Sequence, residues 1–392
     1  MRRQMKCNTV TWSRILKIAV LLILVALFVV YAPVGNLEDT RRIEDYYLEE
    51  PNSLDVVVMG ASDVYAGYSP VLAYDEYGFT SYPYVMSGNY LSLFPGQLEA
   101  LLQTQSPKLI VVEITEAVHS KGSNYDAAFR QFIAGVPLSE LKIRLIHELG
   151  DREHILSYYL PFFVHHGSTD LKTLRNSAEI SSVTRSRGYS LLKGSLSFTG
   201  SGENWDGPYV TPINTTGDHS KVDIPAHTAE GFRQFLSCCK EHPDIQFVFV
   251  NFPHRISDDD HYLNYQITNA VGGLIEDAGF DFINLESMLD QIGIQPETDF
   301  YNNDHMNLYG KYKVTRFLCD ILTKEYGIGE SQLSPLSRQR WDTCVEYNQL
   351  YYTLFDYEFK TRDPDEFGLW LKEDAWLIAK LEEMKRNGGV IS

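Results

Sequence analysis

Residues 54–70 read LDVVVMGASDVYAGYSP, and this stretch indicates the fold around which the chain is built. A short run of β-branched and apolar residues that closes on Gly60 is typical of a buried strand in a parallel sheet. Ser62 follows the end of that strand, at the rim where open α/β sheets bind their ligands. Ser62 can therefore act as a nucleophile. The alternative is a plain strand-to-helix turn with Ser62 or Asp63 as the helix N-cap.

A histidine far downstream supplies a candidate base. Residues 300–318 read FYNNDHMNLYGKYKVTRFL, which indicates a polar loop followed by a helix, and His305 lies in the loop. An upstream Ser with a distant downstream His suits the order of an α/β hydrolase. His254, which follows the predicted strand at 245–252, is the second candidate for the base.

Three sequence blocks carry a resemblance to a known family. GAS at 60–62, Ser-Gly-Asn at 87–89 and DHMNLYG at 304–310 resemble the first, middle and last blocks of the SGNH (GDSL-like) hydrolase superfamily. The similarity spans roughly residues 50–325. It is greatest to the membrane-anchored bacterial branch that includes the D-alanyl transfer protein of teichoic acid synthesis and the alginate and peptidoglycan O-acetyltransferases.

This resemblance implies a fold and a set of roles. The fold is a three-layer α/β/α sandwich with a mainly parallel, flavodoxin-like sheet. Ser62 is the nucleophile and His305 the base, while Gly88 and Asn89, with a backbone N–H next to Ser62 at Asp63, hold the oxyanion. A simple Gly-Asn turn at 88–89 is the alternative.

The residue that orients His305 is left open by the sequence. The family usually has an Asp three residues before its His, and this chain has Asn302 there. Asp304 is adjacent to His305, and neighbouring side chains in an extended segment point in opposite directions. Asn302 can orient the ring through its amide oxygen but brings no charge. Asp304, Asn302 and Asp299 are therefore the candidates.

The rest of residues 54–328 alternates predicted strands with helices, as a doubly wound domain does. Residues 118–230 are predicted to be an insertion over the rim, and 329–392 a helical C-terminal extension. Glu113, at the end of a predicted strand, either binds substrate hydroxyls or simply ends the strand. The pair His165-His166 lacks a second ligand cluster, so no metal site is predicted. The predicted strands are 54–59, 80–86, 108–114, 245–252 and 280–285, and the predicted helices include 96–104 and 229–241.

The N-terminus is predicted to be a membrane anchor. A basic flank precedes the apolar run Ile18 to Val34, which approaches the length of a membrane span, so residues 1–35 are expected to be a cytoplasmic flank and a transmembrane helix. A cleaved signal peptide is the alternative, which Pro33 disfavours. Residues 36–53 are expected to be a spacer, and the domain that follows would lie outside the cell membrane.

Composition limits the partners. A formal net charge of −18 argues against nucleic acid, whose phosphates need a basic surface. The cysteines show no disulfide framework, although a bridge among those outside the predicted anchor stays open. These cysteines are Cys238, Cys239, Cys319 and Cys344.

The predicted function is an extracytoplasmic serine esterase or O-acyltransferase that works through an acyl-serine and needs no cofactor. The resemblance implies a cell-envelope glycan or teichoic acid as substrate or acceptor. The first alternative is a catalytically degenerate SGNH-fold subunit that binds or scaffolds a membrane acyltransferase. The second is an unrelated solute-binding α/β domain.

Overall fold

The computed structural model describes residues 14–24, 37–115, 124–159, 190–198, 210–361, 379–380, 383–384 and 386. The predicted insertion is therefore described only in part, and His165-His166 lies outside the described residues. Besides α1 at residues 14–24, the helices are α2 Leu37–Tyr46, α3 Ser62–Gly67, α4 Pro70–Tyr77, α5 Phe94–Leu101, α6 Tyr125–Gly135, α7 Glu140–Leu149, α8 Ile155–Tyr159, α9 Ala226–Lys240, α10 Asp259–Asp277, α11 Leu289–Ile292, α12 Leu308–Lys324 and α13 Pro335–Thr361.

Five parallel strands form one sheet in the order β2-β1-β3-β4-β5, which is the flavodoxin-like order. This confirms the predicted α/β class with a parallel sheet, and each of the five predicted strands is present. Because all strands run the same way, their carboxyl ends meet at one rim. The strands are β1 Val56–Gly60, β2 Ser81–Val85, β3 Leu109–Glu113, β4 Gln246–Asn251 and β5 Asp281–Asn284.

Alternate residues of the strands enter two separate cores, because successive side chains point to opposite faces of a sheet. Val57 and Met59 of β1 pack into one core with α2, α5, α6, α7, α9 and α10. Val56 and Val58 pack into the other with α3, α4, α11 and α12. The three-layer α/β/α sandwich is thereby confirmed.

The predicted transmembrane helix is corrected by the structure. Among the described residues, no helix has both the length and the apolar character needed to cross a membrane. Of helix α1, the structure describes residues 14–24. Residues 25–34, the rest of the apolar run, lie outside the described residues.

Part of the predicted spacer at 36–53 packs into the domain. Helix α2 buries Ile43 and Tyr46 completely. The ring of Tyr46 meets those of Tyr82 and Tyr84 of β2 edge to face, at centroid distances of 5.5 and 4.7 Å. Gly135 of α6 lies so close to Ile43 that a Cβ there would stand 2.5 Å from the Ile43 Cβ. Helix α2 therefore covers the β2 edge of the sheet.

The C-terminal extension begins with the long helix α13, which packs on α4. Trp341 of this helix is fully buried beside Tyr74, with the ring centroids 5.1 Å apart. Cys344 is buried and free, and Cys238, Cys239 and Cys319 are also free thiols. A disulfide among these four cysteines is thus not formed.

Candidate functional site

Ser62 stands at the start of α3, directly past the end of β1. Gly60 makes this turn possible: its φ is +154°, and a Cβ on it would lie 2.7 Å from the Val64 Cγ2 and 2.8 Å from the Glu113 Cβ. The N-cap of α3 is Ala61, so neither Ser62 nor Asp63 caps the helix. Ser62 is partly exposed, and the structure records no hydrogen bond of its hydroxyl with another described residue.

The loop that carries His305 is closed by a short antiparallel bridge between Phe300 and Met306. Within it, the Oδ1 of Asn302 accepts hydrogen bonds from the backbone N–H of Asp304 at 3.0 Å and of His305 at 2.7 Å. Asn readily forms such turns, because its side chain can bond the backbone two residues on. The loop then leads into α12, whose N-cap is Asn307.

The same Asn302 oxygen decides the tautomer of His305. Two backbone N–H groups point at this atom, so it must be the amide oxygen and not the nitrogen. It lies 3.1 Å from the Nδ1 of His305, and since it can only accept, Nδ1 carries the hydrogen. The lone pair of the neutral ring is then on Nε2, which is buried and has no hydrogen-bond partner. His305 therefore has its Nδ1 held by Asn302 and its Nε2 without a hydrogen-bond partner.

The ring of His305 lies along the face of α3 that carries Ser62. Tyr65 is three residues after Ser62, on the same side of the helix, and its ring is parallel to that of His305, with centroids 6.4 Å apart. Phe198 packs against the imidazole from another side, at 5.2 Å. The structure brings His305, Asn302 and this face of α3 together, but it records no hydrogen bond between Ser62 and His305 among the described residues.

The two other candidates for orienting His305 have different partners. Asp304 is exposed and pairs with the Nε2 of His261 at 3.4 Å, and this hydrogen bond lowers the pKa of the Asp304 carboxyl despite partial desolvation. Asp299 is buried and forms an ion pair with Lys313 at 2.6 Å. Asn302 is therefore the candidate that contacts the His305 ring.

Gly88 and Asn89 occupy the turn after β2. The side-chain amide of Asn89 is buried and donates to the Gly60 carbonyl oxygen at 2.7 Å and to the Gln97 Oε1 at 3.0 Å. Both N–H bonds of this amide are used in this way, so the Asn89 side chain stabilises the backbone turn that precedes Ser62. Gly88 is exposed with a φ of +56°, which is a turn conformation.

A buried charged pair lies beside Ser62, and the sequence did not predict it. The Oδ1 of Asp63 is 3.1 Å from the Nε2 of His254, and Glu286 Oε2 is 3.8 Å from its Nδ1. Burial alone would lower the pKa of His254, but the hydrogen bond to Asp63 and the charges of Asp63, Glu286 and Glu113 outweigh it and raise the pKa to about 10. At neutral pH His254 is therefore an imidazolium, which makes it a poor base.

Glu113 faces the same cluster from the end of β3. Burial, and then the charge of Asp63, raise the pKa of Glu113 to about 8. Its Oε1 accepts from the backbone N–H of Thr115 at 2.8 Å, whereas its Oε2 and the Oδ2 of Asp63 are buried without a hydrogen-bond partner. Glu113 therefore keeps its proton at neutral pH beside the Asp63 carboxylate.

A cavity of about 260 Å³ opens over the ends of β3, β4 and β5. Most of its lining residues carry a hydroxyl, amide, imidazole or carboxyl group. His254 belongs to the wall and bonds Asp63, which adjoins Ser62, while Asp304 adjoins His305. Neither Ser62 nor His305 is among the residues that line the cavity. Its lining is Thr115, Asn251, His254, Ile256, His261, Asn264, Tyr265, Thr268, Glu286 and Asp304.

Comparison with known proteins finds little similarity. No protein-family model matches the chain, and no curated protein matches it. A solved structure, an acetyl xylan esterase from the rumen bacterium Butyrivibrio proteoclasticus, aligns over 70% of this chain with 11% identity and a TM-score of 0.29. The chain spans 65% of that esterase's length. Similarity at this level does not indicate an activity for this chain.

Proposed function

We propose that this protein is a serine esterase or O-acyltransferase in which Ser62 is the nucleophile and His305 the general base. The proposal depends chiefly on the tautomer of His305, since Asn302 directs the lone pair of the ring to Nε2. His305 would take the hydroxyl proton of Ser62 as Oγ attacks an ester carbonyl, and would return it to the leaving alcohol. Water or a second hydroxyl would then release the acyl group.

The proposed substrate is an acyl ester of a polysaccharide or teichoic acid. The cavity that contains His254 and Asp304 supports this class, because its hydroxyl, amide and imidazole groups suit a ligand rich in hydroxyls. Its volume of about 260 Å³ suits one sugar unit or a short acyl group rather than a long lipid chain. Whether the acceptor is water or a sugar decides between hydrolysis and transfer.

The proposal is tested by the hydrolysis of p-nitrophenyl acetate by the full chain and four variants. We expect Ser62→Ala and His305→Ala to abolish turnover, and mass spectrometry to find an acyl group on Ser62 in the parent. Asn302→Ala should lose at least about 100-fold, because the ring can then adopt the wrong tautomer. Asp290→Ala, at an exposed carboxylate of α11 outside the cavity lining, is the control and should keep its rate within a few-fold. Equal rates in all five proteins, with no adduct, would refute the proposal.

A second candidate function is a binding or scaffold subunit of an acyltransferase system. One observation favours it: the structure records no hydrogen bond between Ser62 and His305, which an enzyme needs at the moment of attack. Catalytic hydrogen bonds are often long or absent before substrate binds, so this observation alone does not decide. If the folded parent protein does not hydrolyse p-nitrophenyl acetate, the result would favour the function as a binding or scaffold subunit.

A further inference from the structure

Two partly buried aromatic rings lie beside His305. Phe198 and Tyr301 stack nearly parallel, with ring centroids 4.6 Å apart and an interplanar angle of 14°. The Phe198 ring also packs against the imidazole of His305, with a centroid distance of 5.2 Å. Both Phe198 and Tyr301 keep part of their surface exposed to solvent. We call these two side chains the aromatic pair.

Backbone hydrogen bonds fix the aromatic pair relative to the candidate base. The N–H of Tyr301 donates to the carbonyl oxygen of His305 at 2.9 Å. The carbonyl oxygen of Phe198 accepts from the N–H of Leu308, at the start of α12, at 3.2 Å. A surface that is already ordered loses little conformational freedom when a ligand binds to it. The aromatic pair is therefore a preorganised surface next to His305.

The hydroxyl of Tyr301 gives this surface a polar edge. Among the described residues, none forms a recorded hydrogen bond with this hydroxyl. The neighbouring tyrosines differ, because the Tyr65 hydroxyl bonds that of Ser87 at 2.9 Å and the Tyr309 hydroxyl donates to Asp356 at 2.8 Å. An aromatic face with a hydroxyl at its edge offers apolar contact and a hydrogen bond to the same ligand.

The chemistry of the proposed reaction indicates which part of a substrate would contact the aromatic pair. His305 takes the proton of Ser62 and then gives it to the alcohol oxygen of the ester, as the bond between that oxygen and the acyl carbon breaks. The leaving alcohol must therefore come within hydrogen-bond distance of the His305 Nε2. This nitrogen is buried, so an oxygen that reaches it lies beside the rings packed on the imidazole. The alcohol part of the ester, rather than the acyl part, is the part that contacts them.

We propose that the aromatic pair binds a sugar ring that is the leaving alcohol of the ester, an inference that rests on the proposed function. A pyranose has a face of C–H groups and a rim of hydroxyls. The C–H face suits the exposed aromatic surface, and a rim hydroxyl can bond the hydroxyl of Tyr301. An open-chain polyol has no flat apolar face. The aromatic pair therefore selects an ester of a polysaccharide over an ester of an open-chain polyol.

The test compares two acetates that share the acyl group and differ in the alcohol: methyl glucopyranoside acetylated on its primary hydroxyl, and glycerol monoacetate. The ratio of their kcat/KM values is measured in the full chain. We expect the parent to prefer the sugar acetate, and Phe198→Ala to lower this preference about 3- to 10-fold through the loss of ring contact. Phe198→Tyr should restore the preference. Leu156→Ala, which removes an exposed apolar side chain of α8, is the matched control and should leave the ratio unchanged.

A second measurement needs no turnover, so that a failure of the proposed function stays separate from a failure here. Saturation-transfer NMR follows methyl glucopyranoside in the presence of the full chain with Ser62→Ala. We expect saturation of the ring C–H protons of the sugar, and its loss when Phe198→Ala is added. Binding of the sugar by a parent that hydrolyses neither acetate would refute the proposed function but support the aromatic pair as a sugar-binding surface.

Three outcomes would overturn the proposal. The first is an equal loss of kcat/KM for both acetates in a folded Phe198→Ala, since Phe198 would then act only by packing on His305. The second is a parent that hydrolyses both acetates with no preference for the sugar ester. The third is saturation of the sugar protons that is absent in Ser62→Ala, or that persists unchanged after the Phe198 ring is removed.

Discussion

Replacing Asn302 by Asp is the sharpest test of how His305 is oriented. The Asn302 oxygen accepts from two backbone N–H groups and lies 3.1 Å from the ring Nδ1. A carboxylate oxygen can accept from the same three donors, so the loop and the tautomer should persist. What changes is charge: the variant places a full negative charge beside the ring, where the parent has only a dipole.

The size of the effect follows from that distance. A carboxylate within about 4–6 Å of an ionisable neighbour favours its charged form by about 1–3 pKa units. Both Asn302 and His305 are partly exposed, so solvent screens the charge and we take the lower part of this range. We expect the acid limb of the pH–rate profile to move up by about 1–2 pH units, equivalent to about 1.4–2.7 kcal/mol in favour of the imidazolium.

The assay is the pH dependence of kcat/KM for p-nitrophenyl acetate between pH 5 and 9. Well above the acid limb, Asn302→Asp should be faster than the parent by about tenfold, because the imidazolium that forms as Ser62 attacks is now stabilised. Asp304→Asn is the matched control, and it should move the limb far less because Asp304 pairs with His261. An unchanged profile in Asn302→Asp would refute the assignment of Asn302 as the orienting residue.

Three further predictions concern the frame of the site. Gly60→Ala should lower the free energy of unfolding by about 1–3 kcal/mol in urea titration, because its Cβ would stand 2.7–2.8 Å from Val64 and Glu113 atoms; an unchanged midpoint would contradict this. Ile43→Ala should cost about 2–5 kcal/mol if α2 belongs to the domain, whereas a true spacer would tolerate it. The pKa values of His254 and Glu113 are raised to about 10 and 8, so the folded state holds protons that the unfolded chain releases, and stability should fall from pH 6 to pH 9. Glu113→Gln should flatten that fall by up to about 1 kcal/mol per pH unit below pH 8, and an identical slope would contradict the assignment.

Most strands of the sheet could be predicted because the apolar pattern of each strand is visible within a few consecutive residues. The strand β1, for example, is a continuous apolar run, and only a strand buried on both faces gives that pattern. The flavodoxin-like order of the strands was implied by the family resemblance, whereas the alternation of strands and helices indicated only a doubly wound sheet. Helix α2 was missed because LEDTRRIEDY has a charged composition, and its buried apolar residues Ile43 and Tyr46 look like isolated apolar positions in a polar stretch.

The site was predictable only where its parts are close in sequence. Asn302 lies three residues before His305, at the position where the resembled family usually has an Asp. This spacing made both residues candidates. The pair Asp63 and His254 is separated by 191 residues, and nothing in the sequence near either residue indicates the other.

The backbone around Ser62 is held from three sides, and this restricts how catalysis could begin. Asn89 bonds the Gly60 carbonyl oxygen, His254 holds the Asp63 carboxylate, and the Leu196 N–H bonds the Tyr65 carbonyl oxygen at 3.0 Å. A turn fixed in this way cannot bring Ser62 to His305 by backbone movement at low cost. In the proposed mechanism the hydrogen bond would therefore form by rotation of the Ser62 side chain about χ1 or by movement of the His305 loop, because staggered rotamers differ little in energy. If the site is active, a bound acyl-serine analogue should show the same backbone at 60–65 and either a new Ser62 rotamer or a shifted His305 loop.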